Sequence, residues 1–138
     1  MVYGIGCDLC SIARMKKSLL GPHGAVFARR VFGPAEQAAL GLPLAEEEGT
    51  ARRTAHTVAS AAADFAAKEA FLKAAGTGLR EPFSLCEIEA VRLPGGAPAY
   101  HFSGRSAQWV EARRLRAHLS LSHEDGMAMA YCILETET

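Results

Sequence analysis

The sequence predicts an α+β fold: an antiparallel sheet packed on one long helix. Three observations carry this. From about Ala51 to Ala75 the chain is alanine-rich with no glycine or proline, as a long helix requires. Leu119-Ser120-Leu121-Ser122-His123 and residues 127–134 alternate in polarity on either side of Glu124-Asp125-Gly126, a hairpin signal. The order along the chain is one strand, then helices, then strands, not a regular strand–helix alternation. The length of 138 residues suits a single domain, 1–138.

The elements follow in order. Residues 2–8 read as a short strand ending at Asp8. Gly4 and Gly6 flank Ile5 in it, and glycine in a strand marks close approach by another chain or a ligand. Residues 11–20 read as a helix, with Ser11 as N-cap and Ile12, Met15 and Leu19 on one face. Gly21-Pro22 ends it. A short helix is expected near 23–30, and another from Pro34, a favourable first helical residue. Residues 41–50 read as an exposed loop carrying Glu46, Glu47 and Glu48. The long helix over 51–75 is closed by Gly76 as C-cap. A strand is expected over 84–93, a turn at Leu93-Pro94-Gly95-Gly96, a strand over 98–103 and a helix near 105–114. The closing hairpin completes the sheet.

Composition removes several function classes. Lys plus Arg and Asp plus Glu each number 15, so the net charge is zero, which argues against a generic nucleic-acid binder. With 49% hydrophobic and 22% charged residues the chain is not of disordered composition. No apolar run approaches the ~18 residues of a membrane span. Met1 to Asp8 has neither a basic nor an apolar signal region, which predicts no secretory signal and a cytoplasmic setting. Cys7, Cys10, Cys86 and Cys132 then read as free thiols. Cys7-Asp8-Leu9-Cys10 is a C-x-x-C without a second pair at zinc spacing, and is not read as a metal or redox site.

The charge distribution says more than its sum. No acidic residue lies between Asp8 and Glu36, while Arg14, Lys16, Lys17, Arg29 and Arg30 do. This is either an ordinary solvated face or a surface that steers an acidic partner. On the long helix, Phe65, Glu69 and Lys73 share a face. Glu69 and Lys73 form a solvated pair there, or they sit near the core and need partners or a ligand. Asp8 is an N-cap for the following helix or, with Glu69, a site for a hard cation such as Mg²⁺, which takes one or two carboxylates plus water and phosphate oxygens. Gly76-Thr77-Gly78 is a helix end or a backbone cradle for a phosphate. Leu119, Leu121 and His123 point the same way, so His123 is a core histidine or a functional one.

The wording and order of these segments resemble a known family. Gly6-Cys7-Asp8 through Arg14 resembles the G-x-D-x-x-x-x-x-R opening motif of holo-acyl-carrier-protein synthases, the short-form 4′-phosphopantetheinyl transferases. Phe65-Ala66-Ala67-Lys68-Glu69-Ala70-Phe71, with Lys73, Ala74 and Gly76-Thr77-Gly78, is similar to the family's second signature. Phe27, Arg30 and Glu36 match its F-x-x-R-x-x-x-x-x-E segment, and Leu119 to Glu124 resembles its closing hairpin. The resemblance spans residue 4 to about 134.

That resemblance implies the 4′-phosphopantetheinyl transferase fold and a homotrimer with active sites between subunits. It implies transfer of 4′-phosphopantetheine from coenzyme A to a serine of an acidic apo acyl carrier protein, with adenosine 3′,5′-bisphosphate leaving. In that scheme Asp8 and Glu69 hold Mg²⁺. Lys73 and Lys68 neutralise phosphate charge, Gly76, Thr77 and Gly78 line the nucleotide, and His123 orients a phosphate. Glu69 or a metal-bound water takes the serine proton. Arg14, Lys17, Phe27 and Arg30 dock the carrier. One position departs from the pattern: Asp64 stands where the family usually places an arginine that contacts phosphate or a neighbouring subunit. Asp64 is then expected to pair with Lys68, or Arg52 and Arg53 to compensate for the missing arginine. Two other readings stay open at this stage. One is a coenzyme A- or nucleotide-binding module without transfer activity. The other is a small RNA-binding protein using the basic stretch, which lacks interleaved aromatic residues for base stacking. Neither nucleic acid nor membrane is expected as a partner.

Overall fold

A computed structural model describes residues 1–44 and 51–137. The first strand, β1 (Val2–Ser11), runs three residues beyond the expected end at Asp8. Asp8 is therefore inside a strand, and Ser11 caps the next helix, α1 (Ile12–Leu20), its Oγ accepting from the Arg14 N–H at 3.2 Å. Helices α2 (Gly24–Val31) and α3 (Pro34–Leu40) follow. The expected loop at 41–50, with its three glutamates, lies largely outside the described residues. The long helix α4 covers Ala51–Ala75, as the alanine-rich run predicts.

The expected strand over 84–93 is shorter. A 3-10 turn at Leu85–Glu87 precedes β2 (Ile88–Arg92), which pairs with β3 (Pro98–Phe102). Helix α5 spans Gly104–Ala112. The closing hairpin joins β4 (Leu115–Glu124) to β5 (Met127–Thr136), and Asp125 and Gly126 both take positive φ at its turn. Rather than one sheet, the described strands form two antiparallel sheets, a three-stranded one in the order β1-β5-β4 and the β2–β3 pair.

Helix α4 lies against the three-stranded sheet, and small residues set how closely. A Cβ on Gly6 would fall 1.9 Å from the Ala70 carbonyl oxygen, and one on Gly4 1.9 Å from that of Ala74. The close approach marked by these glycines is thus made by the helix backbone. Ala66, Ala67, Ala70 and Ala74 are buried on the other side of the contact. One core gathers Phe71, Phe83, Phe102 and Trp109, with Phe71 and Phe102 ring centroids 4.9 Å apart. A second joins Met15, Leu19, Phe32 and Val58 under α1 and α2.

Candidate active site

Close packing of β1 on α4 creates the first half of the site. Side chains alternate along β1, so Gly4, Gly6 and Asp8 share the face turned to α4. Two residues past the Gly6 contact, Asp8 meets the last turns of the helix. Lys73 Nζ donates to Asp8 Oδ1 at 3.0 Å and to the Cys7 carbonyl at 3.0 Å. Glu69, one turn earlier, is half-buried; burial and the neighbouring Asp8 charge raise its pKa, against the pull of Lys73. The Asp8 hydrogen bond and charge raise that of Lys73. Lys73 is therefore not simply paired with Glu69 along the helix. It bridges to the strand and partly offsets two carboxylates that repel each other. Two hard oxygen donors, both partly exposed beside a cation, suit Mg²⁺ with water and phosphate oxygens completing its shell.

At the end of α4, Gly76 donates to the Leu72 and Lys73 carbonyls, both at 3.1 Å, so it caps the helix. Gly76 and Gly78 have φ of 80° and 64°, and Thr77 Oγ1 donates to the Gly78 carbonyl at 3.0 Å. Gly76 and Gly78 are exposed, as is Lys73 on the preceding turn.

Lys68 requires a correction. The phosphate-neutralising role expected of it fails because its side chain is 0% exposed. Its ammonium pairs with Glu36 and donates to the carbonyls of Leu85 at 3.1 Å and Ile88 at 2.6 Å. Glu36 in turn accepts from the Gly33 and Ala90 N–H groups, each at 3.1 Å. Burial lowers the Lys68 pKa and raises that of Glu36, and their attraction opposes both shifts. This network ties α3, α4 and β2 together. Losing either partner would strand a buried charge, at about 3–5 kcal/mol.

His123 is exposed, at the end of β4 on the face turned to α4. It lines a cavity of about 670 Å³ together with His56, Ser60, Asp64, Arg92 and Ser122. Asp8, Glu69 and Lys73 are not part of that lining. Instead of pairing with Lys68 as expected, Asp64 has Arg92 Nη2 3.7 Å from its Oδ1, and neither Arg52 nor Arg53 lines the cavity.

The basic residues form an open surface. Arg14, Lys17 and Arg30 are exposed, and no salt bridge to a described carboxylate occupies them. Phe27 is half-buried, its ring 6.2 Å from that of Phe32.

The sequence profile of the 4′-phosphopantetheinyl transferase superfamily matches residues 4–132. The chain belongs to this superfamily. A holo-acyl-carrier-protein synthase from Leptothrix cholodnii is 39% identical over 99% of this chain and 98% of its own length. A crystal structure of the synthase from Neisseria meningitidis superposes with a TM-score of 0.78 at 30% identity, covering 99% of this chain and 100% of that one. The synthase from Bacillus anthracis, solved with coenzyme A (3′,5′-ADP), gives 0.73 at 30% identity, with 99% of both chains covered.

Within this superfamily member, sequence reading reached the residues on β1 and α4 and missed Arg92, His56 and Ser60. Arg92 comes from a short hairpin with no motif of its own. His56 and Ser60 precede the signature on α4 at one-turn spacing, a pattern that also fits an ordinary helix face.

Proposed function

We infer that the protein is a holo-acyl-carrier-protein synthase. It transfers 4′-phosphopantetheine from coenzyme A to a serine hydroxyl of apo acyl carrier protein and releases adenosine 3′,5′-bisphosphate. The observation that carries this is the meeting of Asp8, Glu69 and Lys73 across the β1–α4 contact in a chain of this superfamily. Coenzyme A in the Bacillus anthracis relative supports it as the donor here.

Asp8 and Glu69 would hold Mg²⁺, which when bound supplies positive charge to the pyrophosphate oxygens. Lys73, anchored on Asp8, adds a further cation at the same place. The serine oxygen forms a bond to the pantetheine-side phosphorus as the bond to the adenosine-side bridging oxygen breaks. Glu69 or a water beside it accepts the serine proton. The reaction demands positioning and charge neutralisation more than covalent chemistry, which two carboxylates and a lysine on rigid elements provide. Gly76, Thr77 and Gly78 line the nucleotide. His123 orients a phosphate from its cavity.

The acid-free basic surface with Arg14, Lys17, Phe27 and Arg30 suits an acidic carrier protein. A homotrimer is supported by the outer sheet face. Ile5, Leu9, Met129 and Tyr131 project from it, with Leu9 60% exposed. Separate linings for the carboxylate pair and the His123 cavity support sites completed between subunits. No described helix is long and apolar enough to cross a membrane. The whole chain acts as one domain in the cytoplasm.

The test is to mix the protein with coenzyme A, Mg²⁺ and several apo carriers and weigh the carriers. A gain of one phosphopantetheine is expected. Coenzyme A binding with no gain on any carrier would leave a binding module instead.

A further inference from the structure

The cavity beside His123 contains an Asp64–Arg92 pair that no motif assigns. Asp64 is 4% exposed, and its Oδ1 has no hydrogen-bond donor among the described residues. A buried, unpartnered oxygen is costly unless something nearby compensates it. Arg92 Nη2 stands 3.7 Å away, within ion-pair reach but beyond a hydrogen bond. The Arg92 side chain is 43% exposed and lines the cavity, so much of its planar fork of donors faces open space. Such a fork matches phosphate oxygens in a way a lysine does not. His56, His123, Ser60 and Ser122 add polar groups around it. Alanine, valine and leucine side chains form the remaining walls, suited to a flat ring.

We propose that Arg92, held in place by Asp64, is the cation that receives the 3′-phosphate of coenzyme A in the His123 cavity. It takes over, from β2, the place of the arginine that the family pattern puts at position 64. This rests on coenzyme A as the ligand of the protein.

Asp64 does not undo the attraction. Burial, and then the Glu36 charge, push its pKa up to about 8 against Arg92 and Lys68. Burial thus favours its neutral form, so the carboxyl group beside the guanidinium repels a phosphate less than a fully charged one would. The charged groups acting on it are Glu36 on α3, Lys68 on α4 and Arg92 on β2.

The test compares adenosine 3′,5′-bisphosphate with adenosine 5′-monophosphate by calorimetric titration of wild type, Arg92→Ala and Arg92→Lys. Arg92→Ala is expected to weaken the bisphosphate about tenfold or more, the loss of one charge-assisted contact, and to leave the monophosphate unchanged. Arg92→Lys should recover part of the loss. In transfer assays, KM for coenzyme A should rise in Arg92→Ala while kcat and KM for 3′-dephospho-coenzyme A hold. Asp64→Ala should lower the preference for the 3′-phosphate, and Asp64→Asn should retain it. An undiminished preference in Arg92→Ala, an equal loss for both nucleotides, or no preference in wild type would overturn the proposal. If the preference depends on Arg92 but no carrier gains mass, the transferase reading fails and the phosphate assignment stands.

Discussion

At Asp64 the chain keeps a carboxyl group in a setting that disfavours its charge. The folded protein holds its proton up to about pH 8, whereas an unfolded chain releases it near the ordinary value of 3.8. Between those limits the native state binds more protons than the unfolded state, so this group lowers stability as pH rises, levelling above about 8. Asp64→Asn keeps the shape and removes the titration. Melting curves should show the variant gaining over wild type, with the gain growing from pH 5 to pH 8. A gain that is flat with pH would contradict the ionisation argument. Position 64 also shows where sequence reading stops. The departure from the family pattern was legible as a letter. Its consequence depended on Arg92, brought in by a hairpin far along the chain. The same holds for Lys68. Its place in the signature reads as phosphate binding, yet Glu36, 32 residues away, captures it in the core. Such pairings are tertiary facts that helical spacing does not encode.

Elements were more legible, because their signals are local. Serine before an apolar stripe gives the start of α1, an unbroken alanine-rich run gives α4, and Glu-Asp-Gly gives the β4–β5 hairpin. Strand ends were less clear. Polar Ser11 conceals that β1 continues to pair with β5 up to Met127, and Asp8 looks terminal only because it is charged. Glycines in β1 signalled a close approach without naming the neighbour. That neighbour, α4, brings Glu69 and Lys73 up to Asp8. Gly6→Val would place a Cβ 1.9 Å from the Ala70 carbonyl oxygen and force the strand off the helix. We expect a loss of about 1–3 kcal/mol or more by denaturant titration, together with reduced Mg²⁺-dependent transfer. Gly95→Ala, where a Cβ meets nothing within 4 Å, should change neither.

On the scale of the whole molecule, zero net charge conceals a division of surfaces. Every charged residue between Asp8 and Glu36 is a cation, and these side chains are exposed on α1 and α2. The outer face of the three-stranded sheet is apolar. Leu9 pairs across the sheet with Met129, so a charge at Leu9 would lie in the middle of that patch. Leu9→Asp should convert a trimer to monomers in sedimentation and sharply reduce transfer while the circular dichroism spectrum is retained. Full transfer by a monomer would place the entire site within one chain. Transfer is read most simply from the intact mass of an apo acyl carrier protein. After incubation with wild type, coenzyme A and Mg²⁺, the carrier should gain one phosphopantetheine on its serine, and Glu69→Gln should abolish the gain. An unchanged mass with wild type across fatty-acid, polyketide and peptide carriers would rule out phosphopantetheine transfer by this protein.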